Sequence, residues 1–218
     1  MKHIFSTLSQ NSSTARTSSR AELVRFALRL SYFTIAWNGV IGVAALAVST
    51  ATDSLALAGF ALNALLDSFA SVILVWRFRK EQSNPAAAER FERRAQGFIA
   101  IAMVVVALYV GLEGVRALVN GSHADESTLG IALAILSLLA LPWLGMKKIL
   151  VALAMSSRAL RGDGVLTLAA AALAAITLAA LLVVHAFGWW WADPAAALII
   201  AGFLAVEAVR VATHHRFG

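Results

Sequence analysis

Ser54-Leu55-Ala56-Leu57-Ala58-Gly59-Phe60-Ala61-Leu62-Asn63-Ala64-Leu65-Leu66-Asp67-Ser68-Phe69 is the stretch whose reading decides the fold. It belongs to an apolar run ending at Trp76-Arg77, long enough to cross a bilayer as a helix. Asp67 stands roughly 14 residues beyond Asp53, about 21 Å along a helix rising 1.5 Å per residue. That depth places a carboxylate well inside the span, with Asn63 one turn away on the same face. An ionisable group there is costly and marks a substrate or proton pathway by default. The bland alternative is a carboxylate hydrogen-bonded to Asn63 or a nearby hydroxyl and kept for packing.

The rest of the chain agrees with a membrane reading. Of its 218 residues, 60% are hydrophobic and 14% charged; a soluble domain is nearer about 45–50% and about 25%. Mean hydropathy is +0.79. The chain has no cysteine, which excludes disulfides and thiolate metal sites. No nucleophile–base pair or glycine-rich phosphate loop is present, so no enzyme is expected. The first 20 residues are polar, rich in Ser and Thr, and without the apolar core of a signal peptide. Residues 1–24 are therefore expected as a disordered cytoplasmic tail, and 214–218 as a second short one.

Six apolar segments occupy 25–213, at about 30–52, 54–76, 96–119, 129–146, 164–187 and 194–213. Continuous Ala, Leu and Val runs predict helices, because barrel strands would alternate. The basic residues fall on one side, Arg116 excepted. Lys2, Arg16, Arg20, Arg25 and Arg29 precede the first span, and Arg77, Arg79, Lys80, Arg90, Arg93 and Arg94 join the second to the third. Lys147, Lys148, Arg158 and Arg161 join the fourth to the fifth, and Arg210 and Arg216 follow the sixth. The other connections hold Asp53, then His123, Asp125 and Glu126, then Asp193. Such a bias predicts both termini in the cytoplasm. It also accounts for the net charge of +6 without a nucleic-acid partner. Trp76 at one interface and Trp189, Trp190 and Trp191 at the other fit aromatic belts in contact with lipid.

Ser54-Leu-Ala-Leu-Ala-Gly59 is echoed by Ser157-Arg-Ala-Leu-Arg-Gly162, each opening the middle helix of a three-helix half. Halves with an odd number of spans are inverted relative to each other, and such repeats place sites near the midplane. Extending this register pairs Asn63 with Leu166 and Asp67 with Ala170.

With Ser54-x-Ala56-Leu57 leading to Asn63-x-x-x-Asp67, Ser157-x-Ala159-Leu160-x-Gly162-Asp163, and Asp193-Pro194, the chain resembles the transmembrane domain of the cation diffusion facilitator family. Trp76-Arg77 and Gly188-Trp-Trp-Trp-Ala-Asp-Pro194 look most like a short bacterial branch. The resemblance implies an all-α, six-span, inverted three-plus-three exporter of divalent metals, mostly zinc, exchanged for protons. It also implies a homodimer in a bacterial inner membrane. The family's site takes a His/Asp-x-x-x-Asp motif from each of the second and fifth helices. Here Asn63 stands at the first position, and Leu166 and Ala170 leave the second motif missing. The family's soluble metal-binding domain is expected to be absent.

The candidate metal ligands are therefore Asp67, Asn63, Asp163 and Thr167. Zinc favours about four N, O or S ligands, whereas oxygen-only ligation suits harder ions such as manganese. The cation, zinc or manganese, is cargo, and no resident cofactor is expected. Asp163 before Gly164 also reads as the N-cap of the fifth helix, and Asp193 before Pro194 as that of the sixth. Glu113–Arg116 and Glu207–Arg210 have the spacing of local ion pairs. His185 is expected to snorkel to the interface, and His214-His215, pointing about 100° apart on a helix, make a poor metal pair. The expected function is divalent-cation efflux by alternating access. The alternatives are a non-transporting partner subunit degenerate at the site, and a proton-coupled exporter of organic cations built on Asp67.

Overall fold

The computed structural model describes residues 2–81 and 85–213. Among them the chain forms six helices and no strand: α1 (Lys2–Thr52), α2 (Leu55–Glu81), α3 (Pro85–Asn120), α4 (Thr128–Met155), α5 (Arg158–Phe187) and α6 (Ala192–Thr213). Each carries a stretch able to cross a bilayer: Glu22–Thr52, Leu55–Arg77, Gly97–Asn120, Thr128–Met155, Ala159–Phe187 and Ala192–Val211. The expected all-α, six-span membrane fold is the observed one. Helix α1 is continuous from Lys2 and takes in the 2–24 segment marked by composition as a tail. The expected tail at 214–218, with His214 and His215, lies outside the described residues.

At the α4–α5 turn both boundaries differ from the sequence reading. The Lys147-Lys148 pair predicts the end of the fourth span near 146, yet α4 continues to Met155, and α5 begins at Arg158 rather than 164. Residues 149–155 are apolar and prolong the helix, so the turn between α4 and α5 shrinks to Ser156-Ser157. Ser156 closes α4 in the left-handed conformation at φ 53°, and Ser157 opens α5 as its N-cap, accepting from the Leu160 amide. Ser54 does the same for α2 through the Leu57 amide at 3.2 Å. The repeated Ser-x-Ala-Leu pattern is thus a pair of helix N-caps, which satisfy amides that a helix start leaves free.

The α1–α2, α3–α4 and α5–α6 connections meet at one end of the bundle, the acidic end. The Asp125 amide donates to the Thr52 carbonyl at 2.8 Å. His185 lies 2.8 Å from Glu126 on the exposed surface, so it has an ion partner as well as an interfacial position. Trp189 stacks on Trp191 at 5.6 Å between ring centroids, with Phe187 beside them. Asp193 corrects the sequence reading. It lies in the first turn of α6, but its carboxylate caps α2 across the bundle, accepting from Ser54 Oγ at 2.5 Å, the Leu55 amide at 2.7 Å and the Ala56 amide at 3.3 Å. Charged acceptors at a helix start satisfy orphan amides and complement the dipole. Asp193→Ala strips all three donors of their acceptor and is expected to cost roughly 1–3 kcal/mol. Thermal unfolding in detergent checks it: a midpoint equal to wild type would show the cap to be dispensable.

The outer surface is apolar, as lipid requires. On α3, Phe98, Ile101, Val105, Leu108, Leu112, Val115 and Val119 are all exposed at helical spacing, a face that water would not tolerate. α1 packs chiefly on α2, α4 on α5, and α3 on α6, while α2 also meets α5. Half of the α2 and α5 spans is buried, against a third of α1, α3 and α4. These two helices are central, and polar side chains on them sit in the interior. Phe60, Leu57, Leu173, Ile200 and Leu204 form the apolar core around them. The two local pairs stand as the spacing predicts, Glu113–Arg116 at 2.5 Å and Glu207–Arg210 at 3.4 Å.

Candidate functional site

Helix α2 presents a buried polar stripe. Asn63, Asp67 and Ser71 follow one another by four residues and are at most 4% exposed, so they share one face. Asp67 falls at the middle of the Leu55–Arg77 span. Among the described residues its Oδ2 has no hydrogen-bond partner, and neither has Asn63 Nδ2 one turn away. Buried polar atoms are normally satisfied, and an orphan in hydrocarbon costs several kcal/mol. Asn63 Nδ2 therefore does not donate to the Asp67 carboxylate.

A second cluster lies one turn along α2, toward the basic end. Lys148 of α4 is fully buried, and its Nζ is 2.5 Å from Asp163 Oδ2 on α5. The same ammonium donates to Thr167 Oγ at 3.1 Å. Thr167 in turn donates to the Asp163 carbonyl at 2.9 Å, and Ser71 donates to Asp163 Oδ1 at 2.9 Å. Three helices are tied at one carboxylate. Gly145 and Gly164 bring α4 and α5 close enough for this. A Cβ at Gly145 would meet Leu168 at 2.8 Å and the Gly164 carbonyl at 3.1 Å, and one at Gly164 would meet Ile149 at 2.8 Å.

Asp163 is therefore not the N-cap of α5, a task Ser157 performs. It sits one turn inside the helix, facing α2 and α4 rather than the helix start. Lys148 is the main residue missed, because sequence reasoning assigned it to a basic loop. A signal was available. Ala134, Ser137, Leu141, Leu144, Gly145, Lys148, Val151 and Ala152 form the buried face of α4 at three- and four-residue spacing, so Lys148 lies in register with the buried stripe. Ser71 was missed too, though it continues the Asn63–Asp67 spacing. Asn38 of α1, buried and with no partner for its Nδ2 among the described residues, is a further polar group of the interior.

The four predicted ligands thus fall into two pairs. Asn63 and Asp67 lie together on α2. Asp163 and Thr167 lie together on α5, joined to α2 through Ser71 but engaged by Lys148. Asp67 is within electrostatic reach of Asp163, Lys148 and the mostly buried Glu207 of α6. Ala170, in register with Asp67, packs with Leu141, Ala171 and Trp37, so the fifth-helix position is apolar in space as in sequence. Among the described residues, no group of three or more His, Asp or Glu is gathered to hold a metal. The arrangement offers a midplane oxygen pair, next to a carboxylate already neutralised by an ammonium.

A family model described as the cation efflux transmembrane domain matches residues 31–215, from within the first span to beyond the sixth. Six helices long and apolar enough to cross a membrane, a buried carboxylate at the centre of the second, and this match over most of the chain lead to one assignment: the protein belongs to the cation efflux family of membrane cation transporters.

Proposed function

We propose that the protein exports divalent metal cations by alternating access, in exchange for protons, with Asp67 as the central ligand and Asn63 as the second. The observation that carries this reading is the unpartnered Oδ2 of Asp67 beside Asn63, at the midpoint of the half-buried α2. A carboxylate oxygen kept without a hydrogen-bond partner at that depth is retained for something that comes and goes. Oxygen ligands favour manganese over a soft thiophilic ion, and water completes the shell of a transiently bound cation. Protons returning to the vacated carboxylate supply the exchange. The one-sided distribution of Lys and Arg supports a cytoplasmic basic end, and the two Ser-x-Ala-Leu caps support inverted halves. A homodimer in a bacterial inner membrane belongs to the same proposal through family likeness.

Uptake by proteoliposomes tests it, comparing zinc, manganese and magnesium with a pH dye in the lumen. Manganese or zinc uptake accompanied by proton movement in the opposite direction is the expected result. No uptake of any of the three would leave the partner-subunit reading, which the apolar Ala170 and Leu166 positions favour.

A further inference from the structure

We infer that Lys148 is a tethered cation that occupies the carboxylate of α5 when no metal is bound and must leave Asp163 for a divalent ion to be held. This rests on the transport reading and adds to it a residue that sets affinity. Three observations carry it.

First, the ammonium is wholly buried and makes the contacts a bound cation makes, with Asp163 Oδ2 at 2.5 Å and Thr167 Oγ at 3.1 Å. Second, Asp163 and Thr167 flank the register positions Leu166 and Ala170, which are apolar, and another polar contact of α5 with α2, Thr177 to the Ala56 carbonyl, lies farther along the helix. Third, Ser71 binds the other oxygen of Asp163 and belongs to the same stripe as Asp67, one turn or about 6 Å away. Asp67 lies within electrostatic reach of both Asp163 and Lys148.

Charge count gives the consequence. With the ammonium in place, Asp67, Asp163 and Lys148 sum to one negative charge, which a divalent ion overcompensates. With the ammonium withdrawn, two carboxylates remain and a divalent ion neutralises both. Lys148 has somewhere to go. It is seven residues before the end of α4 at Met155, about 10 Å from the basic end, and a four-carbon stem lets an ammonium snorkel in that direction. Binding of metal and seating of Lys148 are therefore mutually exclusive on Asp163. In the empty protein the ammonium spares the interior a second bare carboxylate.

Binding of manganese and zinc chloride by the full chain in detergent, followed calorimetrically, tests the inference with K148M and K148R. K148M, similar in length and neutral, is expected to bind at least about tenfold more tightly than wild type, within the range of ordinary site coupling. K148R, which keeps the charge, is expected to stay near wild type. A merely structural lysine predicts the reverse, weaker binding on its loss. A second measurement needs no variant. Acetic anhydride labelling of wild type, read by mass spectrometry, is expected to rise at Lys148 when manganese is added, with exposed Lys147 as internal reference. Folded K148M with unchanged or weaker affinity overturns the inference, as does labelling at Lys148 that manganese does not raise. Absence of binding in wild type and both variants overturns the transport reading itself.

Discussion

Asp67→Asn is expected to abolish metal uptake while leaving the protein at least as stable as wild type. The substitution keeps the shape of the side chain and removes its charge. Losing an outer partner of a metal ligand costs roughly 10–100-fold in affinity or activity, so loss of the central ligand should exceed about 100-fold. Stability moves the other way. Asp67 Oδ2 makes no hydrogen bond that the substitution could break, and an ionised side chain at a span centre costs about 2.5–3.5 kcal/mol on insertion. Asp67→Leu should therefore raise stability by an amount on the order of 1–3 kcal/mol while uptake stays lost. Uptake in proteoliposomes and thermal unfolding of the same preparations decide the matter. A carboxylate retained for packing would show the opposite pattern, with lower stability and uptake surviving in whatever fraction remains folded.

What the sequence made legible follows from which physical signals are local. The six spans were readable because a lipid-facing helix must be apolar over its whole length, and that requirement is written residue by residue. Asp67 was readable for the same reason, as a charge where charge is expensive. Partners across the bundle were not. Asp193 before Pro194 has the local look of an N-cap for its own helix, yet its carboxylate serves α2, more than 130 positions earlier in the chain. Lys148 was hidden by Lys147. Two adjacent lysines read together as the edge of a membrane, although successive side chains on a helix point about 100° apart. One of these two is exposed and the other wholly buried. The three- and four-residue spacing of the buried α4 face is the signal that separates them.

Removal of Asp163 gives the largest expected loss of stability, and the way in which it can be repaired tests the central cluster as a unit. Asp163→Leu leaves the Lys148 ammonium, fully buried where it is seated, with Thr167 Oγ as its remaining acceptor among the described residues, at a close crossing set by Gly145 and Gly164. Breaking a buried ion pair from one side costs about 3–5 kcal/mol, whereas replacing both members with apolar groups is often neutral. Asp163→Leu is thus expected to be severely destabilised, and addition of Lys148→Met should recover most of the loss. Ser71 loses its acceptor in either case, but a helical serine can turn to its own backbone carbonyl one turn back. Unfolding midpoints of wild type, both single variants and the double variant close the cycle. Near-additive effects, with the double variant as unstable as the sum of the singles, would mean that the two charges do not depend on each other. A recovered double variant would then separate folding from cation handling. The repaired bundle would stand without either charge, and its weaker hold on manganese relative to Lys148→Met, which lacks the same ammonium, would be attributable to the missing carboxylate.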